Sequence, residues 1–178
     1  MNRYAILLRA VNLGSHQKIS MPDLRKALES LGYTDVATYV QSGNAVVTGS
    51  ATDPAQVAKA VHKGLCDTLG LDTPVLVRTG PELAAIIADN PYPELVEKPT
   101  LLHVAFLSAQ PTKAQLAKLD PAKYLPDEFQ VGDRVLYLRY QHGAGRSKLA
   151  AGELARLGVD ATARNWNTVT ALARMTAD

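Results

Sequence analysis

Apolar residues recur along this chain in two rhythms, a strand period and a helix period, and the two rhythms follow one another in the same order twice. Residues 4–9 form a short apolar run predicted to be a strand. A polar loop follows, holding Asn12, Gly14, Ser15, His16 and Lys18. Ser20-Met21-Pro22-Asp23 then carries the marks of a helix start: a capping serine, an early proline and an acid in the first turn. Leu24, Ala27, Leu28 and Leu31 give that helix an apolar face, and Gly32 closes it. Residues 35–41 and 45–48 are predicted strands joined by the tight turn Ser42-Gly43-Asn44, where glycine or asparagine tolerates positive φ. Asp53-Pro54 opens a second helix with Val57, Val61, Leu65 and Leu69 spaced by four, ended by Gly70. A strand over 73–78 and a short helix over 81–90 complete a βαββαβ order with one helix added.

Pro91-Tyr92-Pro93 and Lys98-Pro99 interrupt the pattern, which predicts a linker around residues 91–99. The order then repeats. A strand is predicted over 100–107, a helix over 112–119, and a hairpin of strands 128–131 and 134–140 around Gly132-Asp133. A helix over 147–157 closed by Gly158, a strand over 162–164 and a last helix over 167–175 follow. Setting Val75-Leu76-Val77-Arg78 over Ala161-Thr162-Ala163-Arg164 aligns the halves at a shift of 86 positions. The expectation is an α+β protein of two ferredoxin-like (split βαβ) halves, residues 1–94 and 95–178, related by duplication and packed as one compact body. Right-handed crossovers then give each antiparallel sheet the spatial order 4-1-3-2. The first strand of each half is apolar on both alternating faces, so both sides of each sheet are expected to be covered.

Composition narrows the function classes. At 47% hydrophobic and 20% charged residues the chain is of ordinary globular type. Its net charge of +2 argues for neither nucleic acid nor membrane, but the charge is unevenly spread. Residues 1–97 hold 8 Lys and Arg against 10 Asp and Glu, a net −2, while residues 98–178 hold 11 against 7, a net +4. The positive field belongs to the second half and favours an anionic partner there. Cys66 is the only cysteine, so an internal disulfide is impossible, which suits a reducing compartment. No apolar run approaches the roughly 20 residues that span a bilayer, and Met1-Asn2-Arg3 leads straight into the first strand. A cytoplasmic protein is expected.

Two polar loop clusters stand out. In the second half, Gly143-Ala144-Gly145-Arg146-Ser147-Lys148 is predicted to enter a helix, so that glycines, a helix N-terminus and two cations gather where an anion would sit. It is not a Walker A loop, because the spacing from the glycines to Lys148 is wrong. The competing explanation is that Ser147 merely caps a helix and the glycines make a flexible turn. Arg164-Asn165-Trp166-Asn167-Thr168 follows the fourth strand of this half and is expected at the same end of the sheet, with only the first strand between, about 10 Å away. Trp166 would offer an aromatic platform between amides; alternatively it is core, and Asn167 caps the last helix. In the first half, Arg9, Asn12, His16 and Lys18 are expected at the same sheet end as Gln41, Ser42 and Asn44, although Gln41–Asn44 also suits a plain hairpin turn.

Other chemistry is weaker. The histidines His16, His62, His103 and His142 show no ligand spacing, no metal site is expected, and Cys66 is read as an inert buried thiol. No nucleophile elbow, acidic pair or cofactor motif is present, and the strands lack the aromatic signature of RNA-recognition sheets.

Taken in order, Arg9-Ala10-Val11-Asn12-Leu13-Gly14, Gln41-Ser42-Gly43-Asn44, Gly145-Arg146-Ser147-Lys148-Leu149 and Arg164-Asn165-Trp166-Asn167-Thr168 resemble the bacterial domain of unknown function family 1697. The resemblance runs over essentially the whole chain. It implies two ferredoxin-like α+β units and no particular activity. Three functions remain open at this point. One is binding, with or without turnover, of a small phosphorylated or nucleotide-like ligand by Arg146, Ser147, Lys148, Arg164, Asn165, Trp166 and Asn167. The others are nucleic-acid binding through the basic second half, and a protein-interaction or structural role with no ligand.

Overall fold

The structure is a computed structural model, and it describes residues 1–9, 11 and 17–177. Among the described residues, eight strands and six helices make an α+β arrangement with two four-stranded antiparallel sheets. The chain divides into two units, residues 1–84 with 171–178, and residues 85–170. The proline-rich stretch 91–99, expected to be a linker, lies within the second of these.

The first unit contains β1 (Asn2–Leu8), α1 (Met21–Ser30), β2 (Thr34–Tyr39), β3 (Asn44–Gly49), α2 (Pro54–Leu69) and β4 (Val75–Thr79), and its sheet order is β2-β3-β1-β4. That is the order the βαββαβ pattern predicts. Ser20 caps α1 by accepting from the Asp23 amide, and Asp53 caps α2 by accepting from the Ala55 amide. The faces these helices bury are Met21, Leu24, Ala27 and Leu28 of α1 and Val57, Val61 and Leu65 of α2. They pack on Tyr4, Ile6, Leu8, Ala45, Val47 and Val77 from one face of the sheet. Each such large aliphatic side chain contributes about 1.5–3 kcal/mol relative to its exposed state. Leu31 and Leu69, expected in the same stripes, are 37% and 40% exposed; Leu31 is the C-cap of α1 and Leu69 the last residue of α2.

The other face of this sheet is also buried. Ala5, Leu7, Val46, Leu76 and Arg78 all lie there by the pairing of Ala5 with Val46 and Arg78 and of Leu7 with Leu76, and all are buried. On the same face Arg3 donates from Nε to the Met175 carbonyl at 2.9 Å and from an Nη to Thr48 Oγ1 at 3.1 Å.

The second unit contains β5 (Leu102–Leu107), α4 (Lys113–Leu116), β6 (Glu128–Gly132), β7 (Val135–Arg139), α5 (Ala151–Leu154) and β8 (Ala161–Asn165), in the sheet order β6-β7-β5-β8. Two helices straddle the division between units, α3 (Gly80–Ala88) and α6 (Trp166–Met175). Ala105, Leu107, Leu136, Leu138 and Tyr140 build one core with Tyr124, Leu149, Leu154 and Leu157. Tyr137 projects from the opposite face and donates to the Ile86 carbonyl at 2.7 Å. Two helices are shorter than expected. The segment 112–119 has one α-turn, set by a capping box between Thr112 and Gln115. The segment 147–157 has one α-turn over Ala151–Leu154, with single 3₁₀ turns at Ala144–Arg146 and Ala155–Leu157.

The Ser42-Gly43-Asn44 turn is held against the end of β1 by a hydrogen bond from the Leu8 amide to the Gly43 carbonyl at 2.9 Å. Gly43 has φ +79°, and a Cβ there would come within 2.6 Å of Val11 Cγ2 and 2.9 Å of Leu8 Cβ. Gly43→Ala therefore lowers stability by about 1–3 kcal/mol through positive-φ strain and overpacking. Gly145→Ala is the control, since nothing lies within 4 Å of its added Cβ. Urea unfolding of both variants checks this: an unchanged midpoint for Gly43→Ala contradicts the account.

His103 in β5 packs edge-on to Tyr140 with ring centroids 5.1 Å apart, and its Nδ1 is buried without a hydrogen-bond partner. Burial pushes its pKa down from 6.5 to about 4. The unfolded chain takes up this proton first, so the neutral imidazole favours the fold above pH 6.5 and that advantage is lost as pH falls toward 4. The expected loss is on the order of 1–3 kcal/mol across that window. Melting temperature measured between pH 6.5 and 4.5 should fall more steeply for the wild type than for His103→Gln. Equal slopes would contradict it.

Candidate functional site

In the second unit, the segment before β6 and the segment after β7 meet around a pocket of 190 Å³ lined by Tyr124, Leu125, Pro126, Asp127, His142, Gly143, Arg146 and Lys148. The geometry follows from a few anchors. Asp127 Oδ1 accepts from the Gln141 amide at 2.7 Å, which ties the two segments together. The Tyr140 hydroxyl, buried in the core, donates to the Leu149 carbonyl at 2.8 Å and fixes the far end of the loop. Tyr124 donates to Glu153 Oε2 at 2.6 Å, and burial, reinforced by this bond, pushes its pKa up to about 12. Between these anchors Gly143 turns the chain at φ +89°, and Arg146 and Lys148 project from the exposed part of the loop.

Ser147 does not cap a helix. Its Oγ accepts from the Leu149 amide at 3.0 Å, a local turn, and the backbone reaches Ala150 in an extended conformation before the short α5 begins. The physical reason is the burial of Leu149 beside Tyr140, which needs an extended approach, together with Gly152, which weakens any longer helix. A single α-turn supplies no appreciable macrodipole. The positive charge of this pocket therefore comes from Arg146 and Lys148, with His142 adding a ring nitrogen and Asp127 opposing.

Arg164, Asn165, Trp166 and Asn167 have different surroundings. Pairing of Leu102 with Arg139 and His103 with Asn165 brings the ends of β7 and β8 to the same end of the sheet, as expected. The Arg164 side chain nevertheless shares the face of Val104 and Tyr137, whereas Tyr124 packs in the cluster on the opposite face. Arg164 is 7% exposed and donates from one Nη to Thr162 Oγ1 at 2.6 Å and to the Ala163 carbonyl at 3.0 Å. Burial lowers its pKa to about 10, which leaves it charged at neutral pH. Asn165, not Asn167, caps α6: its Oδ1 accepts from the Thr168 amide at 3.0 Å. Trp166 is buried in the first turn of α6, and Asn167 is exposed.

The first half repeats this arrangement. Arg78 is 3% exposed and donates to the Val77 carbonyl at 2.9 Å. Thr79 and Glu82 form a reciprocal cap on α3, with the Thr79 amide donating to Glu82 Oε2 at 2.7 Å and the Glu82 amide donating to Thr79 Oγ1 at 3.3 Å. Arg78 and Thr79 match Arg164 and Asn165 at the shift of 86 positions. A buried arginine followed by a capping residue thus ends the fourth strand of each half.

The first-half polar cluster is largely a built turn. Asn44 is fully buried and donates from Nδ2 to the Tyr39 carbonyl and to Ser42 Oγ, each at 3.0 Å. The Arg9 carbonyl accepts from the Thr73 hydroxyl, and the Arg9 amide donates to the Pro74 carbonyl at 3.1 Å. Pairing of Leu7 with Asn44 puts Arg9, Ser42 and Asn44 at one sheet end, and Gln41 is exposed there. Asn12 and His16 lie outside the described residues. A 350 Å³ groove in this unit is lined by Gln17, Lys18, Ile19, Ser20, Asp23, Leu69, Gly70 and Leu71, which include one residue of each charge.

Two groups escaped the sequence reading. His142 and Asp127 join the second-unit pocket, and the signal for His142 was its position within the same loop as Arg146. Cys66 is half-buried rather than enclosed, and Asp72 joins it and His62 in one cluster. The spacing of His62 and Cys66, four apart on a helix, was the available signal.

Comparison with known proteins agrees with this architecture. The solved structure of the conserved bacterial protein SP0830 from Streptococcus pneumoniae is similar over 98% of each chain, with a TM-score of 0.73 and 19% sequence identity, which shows a shared fold. No curated protein matches the chain. Residues 1–137 match the family described as protein of unknown function DUF1697. Over more than half its length the chain carries that family's sequence pattern, and it belongs to the DUF1697 family.

Proposed function

We propose that the protein is a cytoplasmic binding protein for a small phosphorylated ligand, held in the pocket of the second unit by Arg146 and Lys148. The single observation that carries this reading is that both cations line one concave pocket, together with His142 and the apolar Leu125 and Pro126. Size narrows the ligand class. At 190 Å³ the pocket is below the roughly 300 Å³ at which drug-sized ligands begin to fit. A phosphate or a small phosphomonoester suits it better than a whole nucleotide. Arg146 supplies a planar fork for two phosphate oxygens, Lys148 a mobile point charge, and Leu125 with Pro126 a surface for a short apolar or sugar portion. In this reading Arg164, Asn165 and Trp166 serve the fold.

The two units are read as ferredoxin-like halves descended from one duplicated βαββαβ segment. Supporting this are the matching sheet orders and the buried arginine with its capping neighbour at equivalent positions.

Isothermal calorimetry with inorganic phosphate and with phenyl phosphate tests the binding. Charge-assisted hydrogen bonds are worth roughly 1.5–3 kcal/mol each, so Arg146→Ala should weaken binding about tenfold or more. Lys148→Ala should weaken it less. Arg164→Ala should lower the melting temperature while leaving the affinity of the folded protein unchanged. No heat with either probe, or an Arg146→Ala protein that binds as the wild type does, overturns the reading.

A further inference from the structure

A cluster of ligand-type side chains lies in the first unit, apart from the pocket of the second. α2 presents His62 and Cys66 one helical turn apart on the same side. The helix then stops at Gly70, whose left-handed backbone (φ +61°) lets its amide bond to the Cys66 carbonyl at 3.0 Å and the Leu71 amide to the Leu65 carbonyl at 3.1 Å. Leu71 is buried, and this reversal brings Asp72 back against the last turn of the helix. His62 Nε2 lies 2.8 Å from Asp72 Oδ1, and Cys66 Sγ lies 3.7 Å from the histidine nitrogen and 3.8 Å from the same carboxylate oxygen.

We propose that His62, Cys66 and Asp72 form a three-ligand site for a thiophilic divalent transition-metal ion of the zinc class. The spacing argues for it. Metal–ligand bonds of about 2.3 Å to sulfur and about 2.0–2.2 Å to nitrogen and oxygen, at tetrahedral angles, put sulfur about 3.5–3.6 Å from each of the other ligands and those two about 3.4 Å apart. Both distances from sulfur come within about 0.3 Å of this ideal. The nitrogen–oxygen pair is closer because a hydrogen bond joins it, and it needs to open by about half an ångström to admit the ion. The donors are also the right kind. Imidazole with thiolate selects zinc, cobalt or copper over calcium or magnesium, and thiolate with carboxylate supplies two negative charges against a divalent cation.

Burial and the Asp72 carboxylate hold the Cys66 thiol above its ordinary pKa, so the metal must displace that proton to solvent as it binds. His62 is 44% and Asp72 81% exposed at the side chain, so the fourth coordination position faces water. The competing description, a His62–Asp72 hydrogen bond that simply ties down the end of α2, explains the 2.8 Å contact but does not require a thiol beside it.

Cobalt(II) titrated into the tag-free full-length chain distinguishes the two. The expected result is a thiolate-to-cobalt charge-transfer absorption that saturates at one metal per chain and is bleached by zinc. Cys66→Ser should abolish the band. His62→Ala and Asp72→Asn should each weaken binding about tenfold or more, since even residues outside the coordination sphere cost that much in known sites. Asp72 is exposed, so Asp72→Asn keeps the test available if another variant folds poorly. His142→Ala should leave the cobalt band and its affinity unaltered. Absence of the charge-transfer band, half a cobalt per chain, or unaltered affinity in the His62 and Asp72 variants overturns the site.

Discussion

One strand buried on both faces holds each unit together, β1 in the first and β5 in the second. Tyr4, Ala5, Ile6, Leu7 and Leu8 in β1 are all fully buried, as are Leu102, Val104, Ala105, Phe106 and Leu107 in β5. Each strand lies between two antiparallel neighbours, so its backbone groups find partners on both edges and its apolar side chains are covered on both faces. The rest of each unit depends on this arrangement. The helices α1 and α2 must pack on the Tyr4, Ile6 and Leu8 side, and whatever polar groups project on the other side must find acceptors there. Arg78 and Arg164 do so by donating to carbonyls of their own strands. An arginine buried without such acceptors would be strongly destabilising.

The same constraint sorts the polar residues into two populations. Those that sit on strands or at strand ends, namely Asn44, Arg78, Arg164 and Asn165, are drawn into turns, caps and strand carbonyls. Those on the loop beyond β7, namely His142, Arg146 and Lys148, stay at the surface around a concavity. Charge alone does not separate the populations: Arg146 and Arg164 are the same residue type and lie toward one end of the sheet, on or beyond strands that flank β5. Their environments differ because one follows the strand's alternation into a buried face and the other lies past its end.

Much of the fold was legible in the sequence because periodicity, capping residues and glycine stops agree with one another. The hairpin at Gly43, the caps at Ser20 and Asp53 and the sheet orders all follow from local patterns. Three features were not legible, each for a physical reason. Convergence of Arg164 with Arg146 was inferred from strand spacing, but alternate residues on a strand point to opposite faces, and the parity of Arg164 matches Tyr137. A helix from Ser147 was inferred from a cap-like serine, yet tertiary burial of Leu149 beside Tyr140 overrides that signal. The exposure of Cys66 depends on how the chain reverses after Gly70, which helix periodicity does not report. Likeness to SP0830 at 19% identity extends the fold and adds nothing about a ligand.

The central claim is that the loop residues bind an anion while the strand-end residues hold the fold. Nuclear magnetic resonance of the isotope-labelled chain during addition of phenyl phosphate tests it most directly. The account predicts saturable shifts confined to amides of Tyr124–Asp127 and His142–Lys148, with the indole signal of the single tryptophan, Trp166, unmoved. Saturable shifts centred on Trp166 and Asn165, with the loop amides unchanged, would contradict it.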